Sequence, residues 1–325
     1  MFKRPRLFAA LLLLLLISQP LSAVASEPPR VVASILPLHA LAAYIMQGVG
    51  EPTLLVSGGQ SPHTYAMRPS DARALNEADV ILWVGEELEG FLKRPIAALG
   101  DRATVITMME LLGPRLLPAR DGGAWEAHSH GDHAHGHHHH HGHSHAHDHS
   151  HHHHDPHIWL DTEIAIQIGR TLANVLAQHD PVNAHSYLNN AVSLFEHIKF
   201  RLDPALEQQL EAVADQPFLV FHDAYQYLEA QFELNAIGSI TVSPERLPSA
   251  RRISEIRTRI AERQPRCIFS EPQFESRIVQ TVTEGTHVRS GVLDPLGADL
   301  TPGPKAYFTL MKNLASALHA CLSSD

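Results

Sequence analysis

Three histidines stand where a chain could bring imidazoles together. His63 lies in Ser61-Pro62-His63-Thr64-Tyr65, shortly after an apolar run. His157 lies in Asp155-Pro156-His157-Ile158-Trp159-Leu160-Asp161, and His222 directly follows Phe218-Leu219-Val220-Phe221. Asp294, in Leu293-Asp294-Pro295-Leu296-Gly297, ends another apolar run. Three neutral imidazoles and one carboxylate make a four-coordinate set that suits Zn²⁺. Taken singly, each is an ordinary polar loop residue, so the argument rests on the set. A second imidazole source is a tract of His128, His130, His133, His135, His137, His138, His139, His140, His141, His143, His145, His147, His149, His151, His152, His153 and His154. Free imidazole titrates near 6.5 and binds metal when neutral. The tract is therefore expected to hold zinc weakly at many exchanging sites, as a collector or sensor, and to lose it below about pH 6.

Ligands of open α/β sheets bind beyond the carboxyl ends of strands, and the flanking patterns predict such sheets. Strands are expected over Val31–Ile35, 53–56, 80–84 and 103–107, alternating with helices near 38–47, 69–78 and 88–99. This βαβα order argues for a parallel sheet with helices on both faces. From 121 to 154 there is no apolar periodicity, which predicts a disordered histidine-rich loop. A helix over 162–178 and another over 181–214 follow, with a kink or break expected at Pro204. A second βα series follows, with strands at 218–221, 239–242, 267–270 and 291–293 and helices near 224–232, 249–263, 275–285 and 304–321. The expected organisation is α/β: an N-terminal lobe at 26–178, a linker helix at 179–214 and a C-terminal lobe at 215–325, with a cleft between the lobes. His63 and His222 fall at strand ends, one in each lobe.

The first 25 residues read as a secretory signal. Lys3, Arg4 and Arg6 precede the apolar run Leu7–Ile17, and Ala23-Val24-Ala25 is a cleavage site. No cysteine lies nearby to carry a lipid, and no later stretch is apolar for long enough to span a membrane. Past the signal, 22 Lys+Arg face 35 Asp+Glu, a net charge of −13. That balance argues against nucleic acid as a partner. The two cysteines, Cys267 and Cys321, are expected to pair in an oxidising compartment. Neither has a Cys or His neighbour at metal-ligand spacing.

Four segments together carry a resemblance: His63 with Tyr65 and Arg68-Pro69-Ser70-Asp71; Asp155-Pro156-His157-Ile158-Trp159-Leu160; Phe221-His222-Asp223-Ala224-Tyr225; and Leu293-Asp294-Pro295-Leu296-Gly297. They resemble the metal-binding solute-binding proteins of ABC importers, the cluster A-I group, and its zinc-specific branch above all. A histidine-rich insertion before the second segment is typical of that branch. The resemblance spans nearly the whole chain after the signal. It implies two α/β lobes joined by a long rigid helix, with metal between them on His63, His157 and His222. It also implies a periplasmic protein, expected as a monomer, that hands its ion to a membrane permease. Manganese-binding relatives have Glu where this chain has His222. Pro62 stands where some zinc relatives have a coordinating Glu, which leaves Asp294 or a water as fourth ligand, with a lean to Asp294. Asp223, Asp155 and Tyr225 are candidates to orient the imidazoles, and Asp223 is equally a candidate helix cap.

Three rival readings use the same residues. A zinc hydrolase would need a placed base, and the chain has no H-E-x-x-H or G-x-S-x-G. A stand-alone zinc buffer would use the same ligands. A manganese or iron carrier of the same fold is disfavoured by His222 and by the tract.

Overall fold

The computed structural model describes residues 27–57, 59–120, 125, 154–241, 248–274 and 277–323. The expected signal, 1–25, and every tract histidine except His154 lie outside the described residues.

Two four-stranded parallel sheets form the frame. The first is built from β1 (Val31–Ile35), β2 (Thr53–Val56), β3 (Val80–Trp83) and β4 (Thr104–Thr107), in the order β2-β1-β3-β4. The second is built from β5 (Phe218–His222), β6 (Ala236–Thr241), β7 (Cys267–Ser270) and β8 (Arg289–Val292), in the order β6-β5-β7-β8. The two orders are the same. In each, the first strand has its sequence neighbours on opposite sides, so each sheet has a topological switch point beside that strand. The central strands β1 and β3 are buried along their whole length, as strands covered on both faces require.

The helices of the first half are α1 (Leu36–Ile45), α2 (Pro69–Glu77), α3 (Lys93–Leu99) and α4 (Met108–Leu112); those of the second are α8 (Gln226–Phe232), α9 (Ala250–Arg263), α10 (Arg277–Thr283) and α11 (Ala306–Leu322). Between the halves run α5 (Thr162–His179), α6 (Ala184–His197) and α7 (Asp203–Leu210). The short α4 escaped the sequence reading because five residues carry too little periodicity. Strand β8 begins earlier than expected, at Arg289, because its alternating part-exposed pattern reads as loop.

The expected break at Pro204 takes another form. The helix continues, and a π turn, Ile198–Leu202, directly precedes α7, whose first turn holds the proline. A proline cannot donate to the carbonyl four residues back. Widening the preceding turn re-pairs the ladder without a stop.

Helices α5 and α6 pack on each other and on α1, while α11 packs on both α7 and α1. One apolar core therefore runs from Val31 and Leu82 through Leu172 and Leu202 to Phe218, Val220 and Leu314. Alternate residues of β5, Leu219 and Phe221, face a smaller core with Ile256 and Ile268, as the two-residue period of a strand demands. The expected disulfide is present, joining Cys267 at the start of β7 to Cys321 in α11. Among the described residues no helix is long and apolar enough to cross a membrane.

Candidate metal centre

Each of the three imidazoles is placed by a local device. His63 rides on the loop after β2. Asp71, in the first turn of α2, pins that loop by accepting from Arg68 N at 2.7 Å and from the Tyr65 hydroxyl at 2.7 Å. Thus the Arg68-Pro69-Ser70-Asp71 motif is a helix start that doubles as a loop anchor. His157 sits in a corner where Asp155 Oδ1 accepts from both the His157 backbone N (2.9 Å) and Nδ1 (2.7 Å). The corner is fastened further by Trp159 Nε1 donating to Pro295 O at 2.7 Å and by Tyr307 donating to Trp159 O at 2.9 Å. His222 is the last residue of β5, and its Nδ1 lies 2.6 Å from Glu271 Oε1, just past the end of β7. That pairing crosses the switch point of the second sheet.

The three rings converge. Their centroids are 5.7 Å (His63–His157), 5.8 Å (His63–His222) and 5.1 Å (His157–His222) apart. One nitrogen from each lies within 4.8 Å of the others. His157 and His222 are buried and His63 is half-buried. The Nε2 atoms of His157 and His222 are 3.2 Å apart. Two nitrogens bound to one tetrahedral Zn²⁺ stand about 3.3 Å apart, from bonds of about 2.05 Å. With each Nδ1 proton given to a carboxylate, the Nε2 lone pairs of two neutral rings face one another. Such an arrangement repels unless a positive charge lies between them. Burial opposes a charge on His222, but the charge and hydrogen bond of Glu271 overcome it and hold the imidazole above its ordinary value. The same carboxylate that favours a proton there favours a cation.

The pocket at the rings has a free volume of about 10 Å³, room for one ion or one water. Its wall includes Ser61, Leu88, Trp159, Phe274, Pro295 and Leu296. Ser61 Oγ is buried with no hydrogen-bond partner among the described residues.

Asp294 is not among the groups that gather at the rings, unlike the expectation that leaned to it as fourth ligand. Its Oδ1 accepts from Gln273 Nε2 (2.9 Å), Leu296 N (3.1 Å) and Gly297 N (2.9 Å), and its Oδ2 accepts from Ala298 N at 2.5 Å. The carboxylate is spent on closing the turn after β8. Of the residues expected to orient the imidazoles, Asp155 does so. Tyr225 donates to Leu293 O at 3.2 Å and also interacts with Glu271, the carboxylate on His222. Asp223 neither touches a ring nor caps α8; it pairs with Arg120. Glu271 was missed, and its only sequence signal was its place directly after a strand.

The profile of the family ZnuA, Zinc-uptake complex component A periplasmic, matches residues 31–321. The chain belongs to the ZnuA family. The chain is 47% identical over 315 residues to the high-affinity zinc uptake system protein ZnuA of Brucella suis biovar 1 (strain 1330), covering 93% of this chain and 94% of that protein. Among solved structures, the fold is shared with the periplasmic zinc-binding protein TroA from Treponema pallidum. That match has a TM-score of 0.74 at 19% identity, over 91% of this chain and 99% of that one. A crystal structure of ZnuA matches with a TM-score of 0.70 at 22% identity, over 90% and 100%.

Proposed function

We propose that this ZnuA-family chain captures Zn²⁺ in the periplasm and delivers it to a membrane ABC permease, with His63, His157 and His222 as the ligands. The observation that carries the reading is the pair of facing Nε2 atoms 3.2 Å apart, each ring held from behind by a buried carboxylate. All-nitrogen donation favours zinc over harder cations. With Asp294 committed to its turn, a water fills the fourth position, within reach of the Ser61 hydroxyl. His63 closes last, because it is half-buried where His157 and His222 are buried. The ion is cargo, and the function is binding and release rather than catalysis. The histidine-rich segment acts as a weaker collector that feeds the site.

Calorimetric zinc titration tests this on the chain from Ser26 onward, on a chain lacking 126–153, and on a His63→Ala, His222→Ala double variant. One tight site that survives the deletion and vanishes in the double variant supports the reading. Tight binding that survives the double variant and vanishes with the deletion would make the protein a histidine-tract zinc buffer.

A further inference from the structure

The two ends of the histidine-rich segment meet on α8. Pro118 and His154 form an antiparallel bridge, and Asp155 N donates to Leu117 O at 2.9 Å. The Tyr227 hydroxyl lies against both ends, accepting from Leu117 N at 3.1 Å and donating to Asp155 O at 3.0 Å. Just inside this neck stands Arg120. Its Nε donates to Asp223 Oδ2 at 3.0 Å and its Nη2 to Asp223 Oδ1. Its Nη1 donates to Glu229 Oε2 at 2.5 Å and its Nη2 to Glu229 Oε1 at 3.2 Å. The Trp125 ring covers the guanidinium, with Cζ 3.4 Å from the ring centroid.

Both carboxylates are buried, with side chains 7% and 8% exposed. Burial pushes Glu229 up to about 7 against the hydrogen bonds of Arg120. Two carboxylates this close and this dry need the cation between them. The zinc reading gives this cluster no task, yet Asp223 follows His222 in the chain. Asp155, which holds His157, rests through Tyr227 on the same helix as Glu229. Two of the three proposed ligands therefore hang from one clasp.

We propose that Arg120 is a positioning residue of the metal centre, latching the neck of the histidine-rich segment onto Asp223 and Glu229 and so keeping His222 and His157 at bonding separation. The proposal rests on the three-histidine reading above. Only a planar guanidinium can serve two carboxylates edge by edge, so lysine restores the charge but not the geometry. Without Arg120 the two side chains lose the donor that joins them, and the strand end that carries His222 shifts.

The test uses Arg120→Gln, Arg120→Lys and Glu229→Gln in the chain from Ser26 onward and in the chain lacking 126–153. Zinc release to a chelator is timed, Co²⁺-loaded visible spectra are recorded, and metal-free melting temperatures are measured. In both backgrounds Arg120→Gln is expected to release zinc about ten- to a hundredfold faster, the range for residues that hold a ligand in place, with an altered Co²⁺ spectrum. Arg120→Lys should recover part of the loss, and Glu229→Gln should also speed release. A lowered melting temperature with unchanged release and spectrum would reduce Arg120 to packing and overturn the proposal. If Arg120→Gln does not fold, unchanged release in Glu229→Gln overturns it. The His63→Ala, His222→Ala variant separates the two readings. If that variant loses zinc while Arg120→Gln keeps it, only the latch fails; if it keeps tight zinc, the site itself is misassigned and the latch falls with it.

Discussion

At the scale of single residues, the centre depends on the carboxylates that lie behind two of its rings. Glu271 fixes the tautomer and angle of His222, and Asp155 does the same for His157. Glu271→Gln keeps the shape and removes the charge, so zinc affinity should fall about ten- to a hundredfold in competition with a chelating dye. An unchanged affinity would mean that Glu271 only fills space. A third buried carboxylate, Glu89, lies at the carboxyl end of the first sheet. It accepts from Gly85 N at 3.0 Å, from Val84 N at 3.3 Å and from the Ser34 hydroxyl. Burial pushes it from the ordinary 4.5 to about 7, against the pull of those hydrogen bonds. The native state then holds this proton more tightly than the unfolded chain does. Its contribution to stability is complete below pH 4.5 and is lost as pH rises through about 7, a change of about 3 kcal/mol. Guanidinium unfolding of the metal-free chain should show Glu89→Gln gaining on the wild type between pH 5 and pH 8. A pH-independent difference would count against a protonated Glu89.

At the scale of elements, close approach of α5 and α6 underlies the junction between the two halves. Gly169 makes it possible: a Cβ there would collide with a Leu194 methyl and lie 3.5 Å from Ile45 Cδ1. Leu194 is buried, so its methyl must shift within a packed core. Gly169→Ala should therefore lower stability by about 1–3 kcal/mol, read as a denaturation midpoint, with little change in zinc affinity because no element end near the rings moves. Equal loss of affinity and stability would show that helix spacing is coupled to the centre. The π turn before Pro204 belongs to the same scale. The sequence announces a disturbance there, but whether a helix breaks or widens depends on what packs around it. Here Ile198 and Leu202 are fully buried, which favours a continuous helix.

At the scale of the molecule, the two halves are tied at many points around the centre. Trp159 reaches Pro295 O, Tyr307 reaches Trp159 O, and Gln231 Nε2 donates to Thr162 Oγ1 at 2.6 Å. The last helix, α11, packs on α1 of the first half. Such ties leave room for side-chain closure of His63 but little for hinge rotation. Small-angle scattering should show the radius of gyration changing by less than about 1 Å on zinc addition. A contraction of several ångströms would overturn the rigid picture.

The residues alone determined the α/β class, the position of most strands and helices and the cysteine pairing, while the set of three histidines came from the motif resemblance. Those features follow from local periodicity, from strand-end placement and from compartment chemistry, all of which a linear chain displays. Tertiary structure decided which carboxylate lies behind His222. Glu271 lies 49 residues from His222 and meets it only because β5 and β7 are neighbours in the sheet order. Asp294 stood in the more suggestive motif, but four donors, three of them backbone N–H groups of its own turn, consume it. The Arg120 clasp was equally invisible, since its partners lie 103 and 109 residues away. Which charges share a buried space is set by how the halves pack, and no spacing along the chain records that.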